Sequence, residues 1–196
     1  MKRLYWIALF WFAVLQSFAT ADTARFKMML WGDKIGELVV VHQVAADGTE
    51  TFIADSRNKA TILWVDRENI THYEVVFKGG KLFSSNFREV ENGKVTRWSI
   101  IKLEGLTYQV NGNKGKRTFT EAPVFSVLGL YFKDPSNIKR MFYEPEGEFV
   151  NLEKPEPGTV EFKASDGNRS VYHFVNGRLQ KAEFHVSIAT VKMERI

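Results

Sequence analysis

Short runs of alternating apolar and polar residues recur from Arg25 to the C-terminus of the chain. Alternation places successive side chains on opposite faces of a strand, so Tyr73, Val75 and Phe77 share one face of the run Ile70–Lys78. One buried face and one solvated face are typical of antiparallel sheets. The pattern therefore predicts β-strands along most of the chain.

Turn-forming dipeptides separate these runs, and most contain Gly or Asn, which adopt the positive φ of tight hairpin turns. They are Gly32-Asp33, Asp47-Gly48, Gly79-Gly80, Asn92-Gly93, Asn111-Gly112, Asp166-Gly167 and Asn176-Gly177. The strand-like runs between them include Thr51–Ser56, Ala60–Asp66, Ile70–Lys78, Lys81–Val90, Val95–Leu103, Leu106–Val110 and Arg117–Thr120. We therefore expect an all-β fold, a mainly antiparallel meander of about a dozen strands. Such a sheet should curl into a barrel, a half-barrel or two packed layers, which protects its edges.

The segment Ala122–Pro157 departs from the alternating pattern. Apolar residues recur at helical spacing in Val124–Phe132, and a Pro-containing capping sequence precedes Asn137–Tyr143. This predicts a short helical insertion near residues 123–143, consisting of two short helices or turns of helix, that plugs or flanks one opening of the sheet.

The N-terminus has the features of an export signal. Lys2 and Arg3 precede the uncharged apolar stretch Leu4–Leu15, and Ala19-Thr20-Ala21 fits the small-x-small pattern of a signal-peptidase site. We expect residues 1–21 to be cleaved after about Ala21, leaving a single β-rich domain at 22–196 in the periplasm or outside the cell. The alternative is an uncleaved membrane anchor, although polar residues interrupt its last turns, and the mature chain contains no second apolar segment of that length.

Charge and cysteine content narrow the possible partners. The chain carries 27 Lys and Arg against 23 Asp and Glu, and cleavage would remove only Lys2 and Arg3 from this balance. Both signs alternate along the chain without long runs, which disfavours nucleic acid as a partner. With no cysteine, neither a disulfide framework nor a lipid attached to an N-terminal cysteine is possible.

Motifs for catalysis or cofactor binding are not evident in the sequence. The histidines His42, His72, His173 and His185 have no metal-binding spacing, and no Gly-x-Ser-x-Gly or phosphate-binding loop occurs. We therefore predict no metal and no cofactor, and catalytic residues remain unassigned. A hydrolase with a non-local active site stays an alternative, in which Glu144, Glu146 or His173 would converge in a cleft with a shifted pKa.

Aromatic residues make up 14% of the chain, which is enough for a packed core. A curved sheet that is incompletely filled would instead keep an apolar cavity for a hydrophobic small molecule. In that case the cavity should be lined by residues such as Trp64, Phe77, Val127 and Tyr131.

Three motifs resemble a family of exported bacterial proteins of unknown function: Gly32–Glu37, Val127–Phe132 and Tyr172–Leu179. The resemblance implies one curved antiparallel-sheet domain behind a signal peptide, and it supplies no catalytic residue. At the level of fold alone, the chain is also loosely similar to periplasmic lipoprotein carriers and other curved-sheet proteins that bind hydrophobic ligands.

Three functions remain open from the sequence. The first is a non-enzymatic binding domain for a hydrophobic ligand or an envelope partner, and the second is the secreted hydrolase. The third is a structural or adaptor protein of an envelope complex that works through a sheet edge or an exposed aromatic patch. The sequence does not indicate the oligomeric state.

Overall fold

The computed structural model describes residues 18–62, 64–186 and 189–196, with only the backbone at Phe18, Ala19 and Ile62. Most of the expected export signal lies outside the described residues. Fourteen strands and one 3₁₀ helix are present in the described part of the chain. The strands are β1 Phe18–Leu30, β2 Asp33–Ala45, β3 Glu50–Ile62, β4 Val65–Lys78, β5 Lys81–Glu91, β6 Lys94–Glu104, β7 Thr107–Gly112, β8 Gly115–Phe119, β9 Arg140–Tyr143, β10 Glu148–Asn151, β11 Thr159–Lys163, β12 Arg169–Val175, β13 Arg178–Val186 and β14 Ala189–Arg195.

Twelve of these strands form one antiparallel sheet in the order β11-β12-β13-β14-β1-β2-β3-β4-β5-β6-β7-β8. Neighbours in this order are also neighbours along the chain, except that the last strand pairs with the first, for example Met28 with Met193. The predicted all-β class is therefore confirmed. The two outermost strands are β8 and β11.

The hairpin turns alternate between the two ends of the sheet. The β1–β2, β3–β4, β5–β6, β7–β8 and β13–β14 turns lie at one end, which we call the upper end, and the β2–β3, β4–β5, β6–β7 and β12–β13 turns lie at the other. Positive φ angles occur at six of the seven predicted turn dipeptides, including 49° at Asn92 and 78° at Gly93. The seventh, Asn111-Gly112, is wrong as a turn, because it ends β7 and the chain reverses at residues 113 and 114. One predicted strand is wrong: Ala60–Asp66 contains a hairpin turn, because Trp64 itself adopts a φ of 68°.

The insertion contains one helical turn instead of two helices. Val127–Tyr131 forms a buried 3₁₀ helix, and the hydroxyl oxygen of its N-cap, Ser126, accepts a hydrogen bond from the Leu128 amide at 3.0 Å. The predicted second helix is wrong, since residues from Arg140 to Tyr143 form β9, paired with β10. Met141 and Phe142 are consecutive in β9, so they point to opposite faces of the strand, and both are buried. Packing on both faces of the strand therefore overrides the helical spacing of the sequence.

The β9–β10 hairpin lies along the seam between the two edge strands. Phe149 packs against Phe119 of β8, with ring centroids 5.8 Å apart, and Glu153 exchanges backbone hydrogen bonds with Glu161 of β11. On its inner side, Phe142 has no solvent exposure. The hairpin therefore covers both sheet edges and adds apolar area to the core.

Candidate ligand-binding cavity

A cavity of about 650 Å³ lies inside the curl of the sheet. Inward-facing residues of β1–β6 line one part of it, and residues of β12–β14 line the part opposite. From Tyr73 near its floor to Arg67 near the upper end, β4 runs six residues, a depth of roughly 20 Å at about 3.3 Å per residue. The volume falls within the usual range of small-molecule pockets, about 300–1,000 Å³.

One wall of the cavity is apolar. Met28 and Leu30 on β1, Leu38 on β2, Phe184 on β13 and Val191 on β14 all face it. These four strands are neighbours in the sheet. The apolar residues therefore form a continuous surface from the interior to the upper end, suited to a hydrocarbon chain.

The adjoining wall is polar and comes from the next strands of the sheet. Ser56 and Asn58 on β3 and Asn69 and Thr71 on β4 face the cavity. The Asn69 side-chain amide donates a hydrogen bond to Glu89 at 2.9 Å, and the Thr71 hydroxyl donates one to Asn69 at 3.1 Å. The wall is therefore already ordered by its own hydrogen bonds.

Asn58 is the exception on this wall, because its side-chain oxygen is buried without a hydrogen-bond partner. It lies over Gly36, where an added Cβ would come within 2.4 Å of that oxygen and 2.2 Å of the Arg57 carbonyl oxygen. Glycine at position 36 thus leaves the space that the Asn58 side chain occupies.

Aromatic side chains and the 3₁₀ helix form the floor. Tyr73 meets Phe87 edge-on, with ring centroids 5.4 Å apart, and Tyr131 meets Phe26 edge-on at 5.5 Å. Burial raises the pKa of Tyr131, and the neighbouring Tyr143 adds to the rise. The Tyr131 hydroxyl is therefore neutral at any physiological pH and can act as a hydrogen-bond donor.

Behind the floor lies a carboxyl group with no solvent exposure, that of Glu144. The Tyr73 hydroxyl donates a short hydrogen bond to its Oε2 atom, and the Oε1 atom has no partner. Burial raises the pKa of Glu144 to about 7, although the hydrogen bond from Tyr73 acts in the opposite direction. Glu144 is the group that fixes the Tyr73 side chain in the floor.

Ion pairs surround the upper part of the cavity. Arg67 pairs with Glu91, and Arg169 pairs with Glu161. Arg97 contacts Glu146 at 2.7 Å. Because each of these cations already has a carboxylate partner, the lining presents balanced charge and not a basic patch.

The four residues expected to line an apolar cavity are placed differently. Val127 and Tyr131 face the cavity. Phe77 lies deeper in the core, where it meets Phe52 edge-on at 6.2 Å. Trp64 lies at the β3–β4 turn, where 98% of its surface is exposed. Ligand binding at any of them stays a prediction.

The three residues considered for a hydrolase, Glu144, Glu146 and His173, have different surroundings and do not share a cleft. Glu144 is sealed from solvent, and Glu146 pairs with Arg97 and Lys114, each at 2.7 Å. His173 follows the cavity-facing Tyr172 in β12, so alternation points it to the other face of the sheet. The raised pKa of Glu144 is the feature that the sequence could not indicate, because acidic residues beside Pro145 and Gly147 are typical of exposed loops.

Among residues 18–62, 64–186 and 189–196, no three His, Cys, Asp or Glu side chains are grouped as metal ligands. In the same ranges, no helix has the length and apolar character needed to cross a membrane.

Comparison with known proteins agrees with this architecture. A family model described as a domain of unknown function, DUF6134, matches residues 26–196. The chain belongs to this family. Membership in a β-rich family of unknown function, which the three sequence motifs predicted, is thereby confirmed.

Among solved structures, the chain is similar to a β-barrel-like protein of the DUF1849 domain of unknown function from Brucella abortus. The two share 12% sequence identity with a TM-score of 0.56, and the match covers 89% of this chain and 95% of that one. At this identity the likeness concerns the fold alone. A search of curated proteins finds no match.

Proposed function

We propose that the protein is an exported binding domain that holds a hydrophobic small molecule in the cavity. The observation that carries the proposal is the continuous apolar wall, Met28, Leu30, Leu38, Phe184 and Val191, facing about 650 Å³ of unfilled space. Protein interiors are normally close-packed, and an unfilled volume of this size forfeits the contacts that its lining could make. A bound apolar ligand would restore them.

Export is the second part of the proposal, and the N-terminal residues support it. A basic pair, an apolar stretch and the sequence Ala19-Thr20-Ala21 stand in the order that a signal peptide requires. Cleavage after Ala21 would shorten β1 at its start, but the pairing of Asp22–Leu30 with β2 would remain.

Mass spectrometry of the protein isolated from producing cells tests both parts. Under native conditions we expect a retained apolar mass, and under denaturing conditions a chain that begins near Asp22. An intact N-terminus would contradict cleavage and favour the uncleaved membrane anchor. A ligand-free protein that also fails to bind an apolar fluorescent probe would contradict the binding function.

A cavity-filling variant locates the site. Ala54 faces the cavity, so Ala54→Phe places a ring in the open space and should weaken binding of the apolar probe at least tenfold, since burial of one large apolar side chain is worth about 1.5–3 kcal/mol. Ala46→Phe, in the exposed β2–β3 turn, is the matched control and should bind as wild type. Equal probe affinity in both variants would show that the cavity is not the site.

A further inference from the structure

The β1–β2 turn has an unusual residue at its first position. Trp31 and Gly32 have φ angles of 53° and 97°. The corresponding pairs in two other hairpins are Asn92-Gly93, at 49° and 78°, and Asn176-Gly177, at 51° and 72°. Asn and Gly tolerate this left-handed conformation, whereas a bulky aromatic residue there is a strained outlier. Trp31 thus occupies a position at which local stability favours Asn.

A second tryptophan repeats the feature two strands away. Trp64, in the β3–β4 turn, has a φ of 68° and is 98% exposed, and Trp31 is 65% exposed. Both indoles are therefore mostly in contact with solvent, and Trp64 gains almost no burial from its position. A strained residue that local structure does not require is grounds for proposing a function.

The two tryptophans project from the same end of the sheet to about the same height. Gly36 on β2 pairs with Asn58 on β3, and extending this register brings the two turns level. Two strand spacings separate the hairpins, roughly 10 Å. Val65, next to Trp64 in the same hairpin, and Val186, in the adjoining β13–β14 hairpin, are also exposed. The upper end therefore carries an apolar crest, which we define as Trp31, Trp64, Val65 and Val186.

The crest continues into the cavity. Leu30 directly precedes Trp31 and belongs to the apolar wall, and Val186 lines the cavity as well as being exposed at the upper end. An apolar molecule could move from the crest along this wall without crossing a charged group.

Charges just below the crest are balanced. Lys34 pairs with Glu37 at 2.6 Å, and Arg57 and Lys59 both contact Glu68, at 2.7 and 3.3 Å. Asp66, whose carboxylate accepts a hydrogen bond from Thr61 at 2.7 Å, supplies a third acid against these three cations. Lys and Arg therefore alternate with carboxylates around the base of the crest. This arrangement complements headgroups that carry both a phosphate and an amine, and it gives no net attraction to an anionic surface.

We propose that the crest docks on a phospholipid bilayer with zwitterionic headgroups, so that the upper end of the cavity faces the membrane. Tryptophan is enriched at membrane–water interfaces because its ring combines apolar area with an N–H donor that stays near the headgroups. The proposal does not depend on ligand binding, because the crest lies outside the cavity floor and could dock an empty protein.

Substitution by Asn separates docking from folding. The Trp31→Asn/Trp64→Asn variant places a residue suited to positive φ in both turns, so it should fold at least as stably as wild type. In co-sedimentation with phosphatidylcholine–phosphatidylethanolamine vesicles, its partition coefficient should fall at least tenfold, given the apolar area of two indoles. The control, Leu106→Asn/Val175→Asn, changes two exposed apolar residues at the opposite end and should partition as wild type.

Tryptophan fluorescence gives a second measurement on the same vesicles. Wild-type emission should move to shorter wavelength on binding, whereas the double Asn variant, which retains Trp98, should not shift. Partitioning should be insensitive to salt, because net charge does not drive it. Wild type and variants are purified from the same producing cells, so that all carry the same naturally processed N-terminus.

Three results would overturn the proposal: wild type that does not bind these vesicles, binding that requires anionic lipid, or equal partitioning of the two double variants. The first would favour a protein partner for the crest. None of these results bears on probe binding in the cavity, so the two proposals can fail separately.

Discussion

At pH 8, the Glu144→Gln variant should be more stable than wild type by about 3 kcal/mol, the free energy that corresponds to raising the Glu144 pKa from 4.5 to about 7. Gln has the shape of a protonated Glu and can accept the hydrogen bond from Tyr73, but it never ionises. Wild type must instead place a carboxylate in a site without solvent exposure.

The sign of the pH dependence follows from linkage. The folded pKa of Glu144 is raised, so between pH 4.5 and 7 the native state binds more protons than the unfolded state, and stability falls as pH rises. The stability associated with the neutral group is fully present below pH 4.5 and is lost by about pH 7. The difference between the two proteins should therefore vanish near pH 4 and reach its maximum above pH 7.

Urea unfolding at a series of pH values checks this difference. Taking the difference between the two proteins cancels the contributions of all other titrating groups. Tyr73→Phe is a useful companion, since losing a donor to the carboxylate should raise the Glu144 pKa further and extend the pH-dependent range upward. A Glu144→Gln effect that does not vary with pH would show that the pKa of Glu144 is the same in the native and unfolded states.

Local sequence signals were sufficient for most hairpins that have Gly or Asn in their turns, although the β7–β8 turn lies two residues beyond its predicted place. Gly79-Gly80, Asn92-Gly93 and Asn176-Gly177 all take positive φ, as their sequence predicts. The β3–β4 turn has no such residue, so the sequence indicated a continuous strand where Trp64 reverses the chain. The sequence missed this turn because Trp rarely adopts a positive φ, and the same unusual φ makes Trp64 a functional candidate.

The cavity could be predicted only in outline. Alternation identifies which side chains face inward, but it does not show whether the facing side chains meet. Tyr73 and Phe77 share the inward face of β4, yet Phe77 lies in packed core and Tyr73 lines open space. The outcome depends on pairings distant in sequence, such as β14 with β1, which joins the N-terminal and C-terminal parts of the chain into one sheet.

Glu144 shows a different limit of sequence analysis. Its neighbours Pro145 and Gly147 are typical of a solvated loop, whereas its carboxyl group meets Tyr73, 71 positions earlier in the chain. No local pattern reports such a contact. A buried acid of this kind is recognisable only once the hairpin β9–β10 has been placed inside the sheet.

Phe142 anchors the β9–β10 hairpin inside the sheet, so its removal should have a large effect on stability. Phe142→Ala should lower the free energy of unfolding by about 3–5 kcal/mol, the usual result of removing a fully buried phenylalanine. The ring has no exposure and lies between Phe119, at 5.2 Å, and Phe149, at 5.0 Å. Its backbone amide also donates to the Phe125 carbonyl oxygen at 2.9 Å, which links the hairpin to the segment before the 3₁₀ helix.

Thermal unfolding measures the loss, and a fall of roughly 10 °C is expected for a chain of this size. Phe83→Ala is the matched control, because Phe83 is an exposed strand residue and its removal should change stability by less than about 1 kcal/mol. Similar values for the two variants would mean that the hairpin is not an integral part of the core. Tyr143 directly follows Phe142, Pro145 lies two residues further on, and both line the cavity. Weakening this anchor should therefore also reduce probe affinity at temperatures where the variant is still folded. A stable hairpin is thus required for the floor of the cavity as well as for the closure of the sheet.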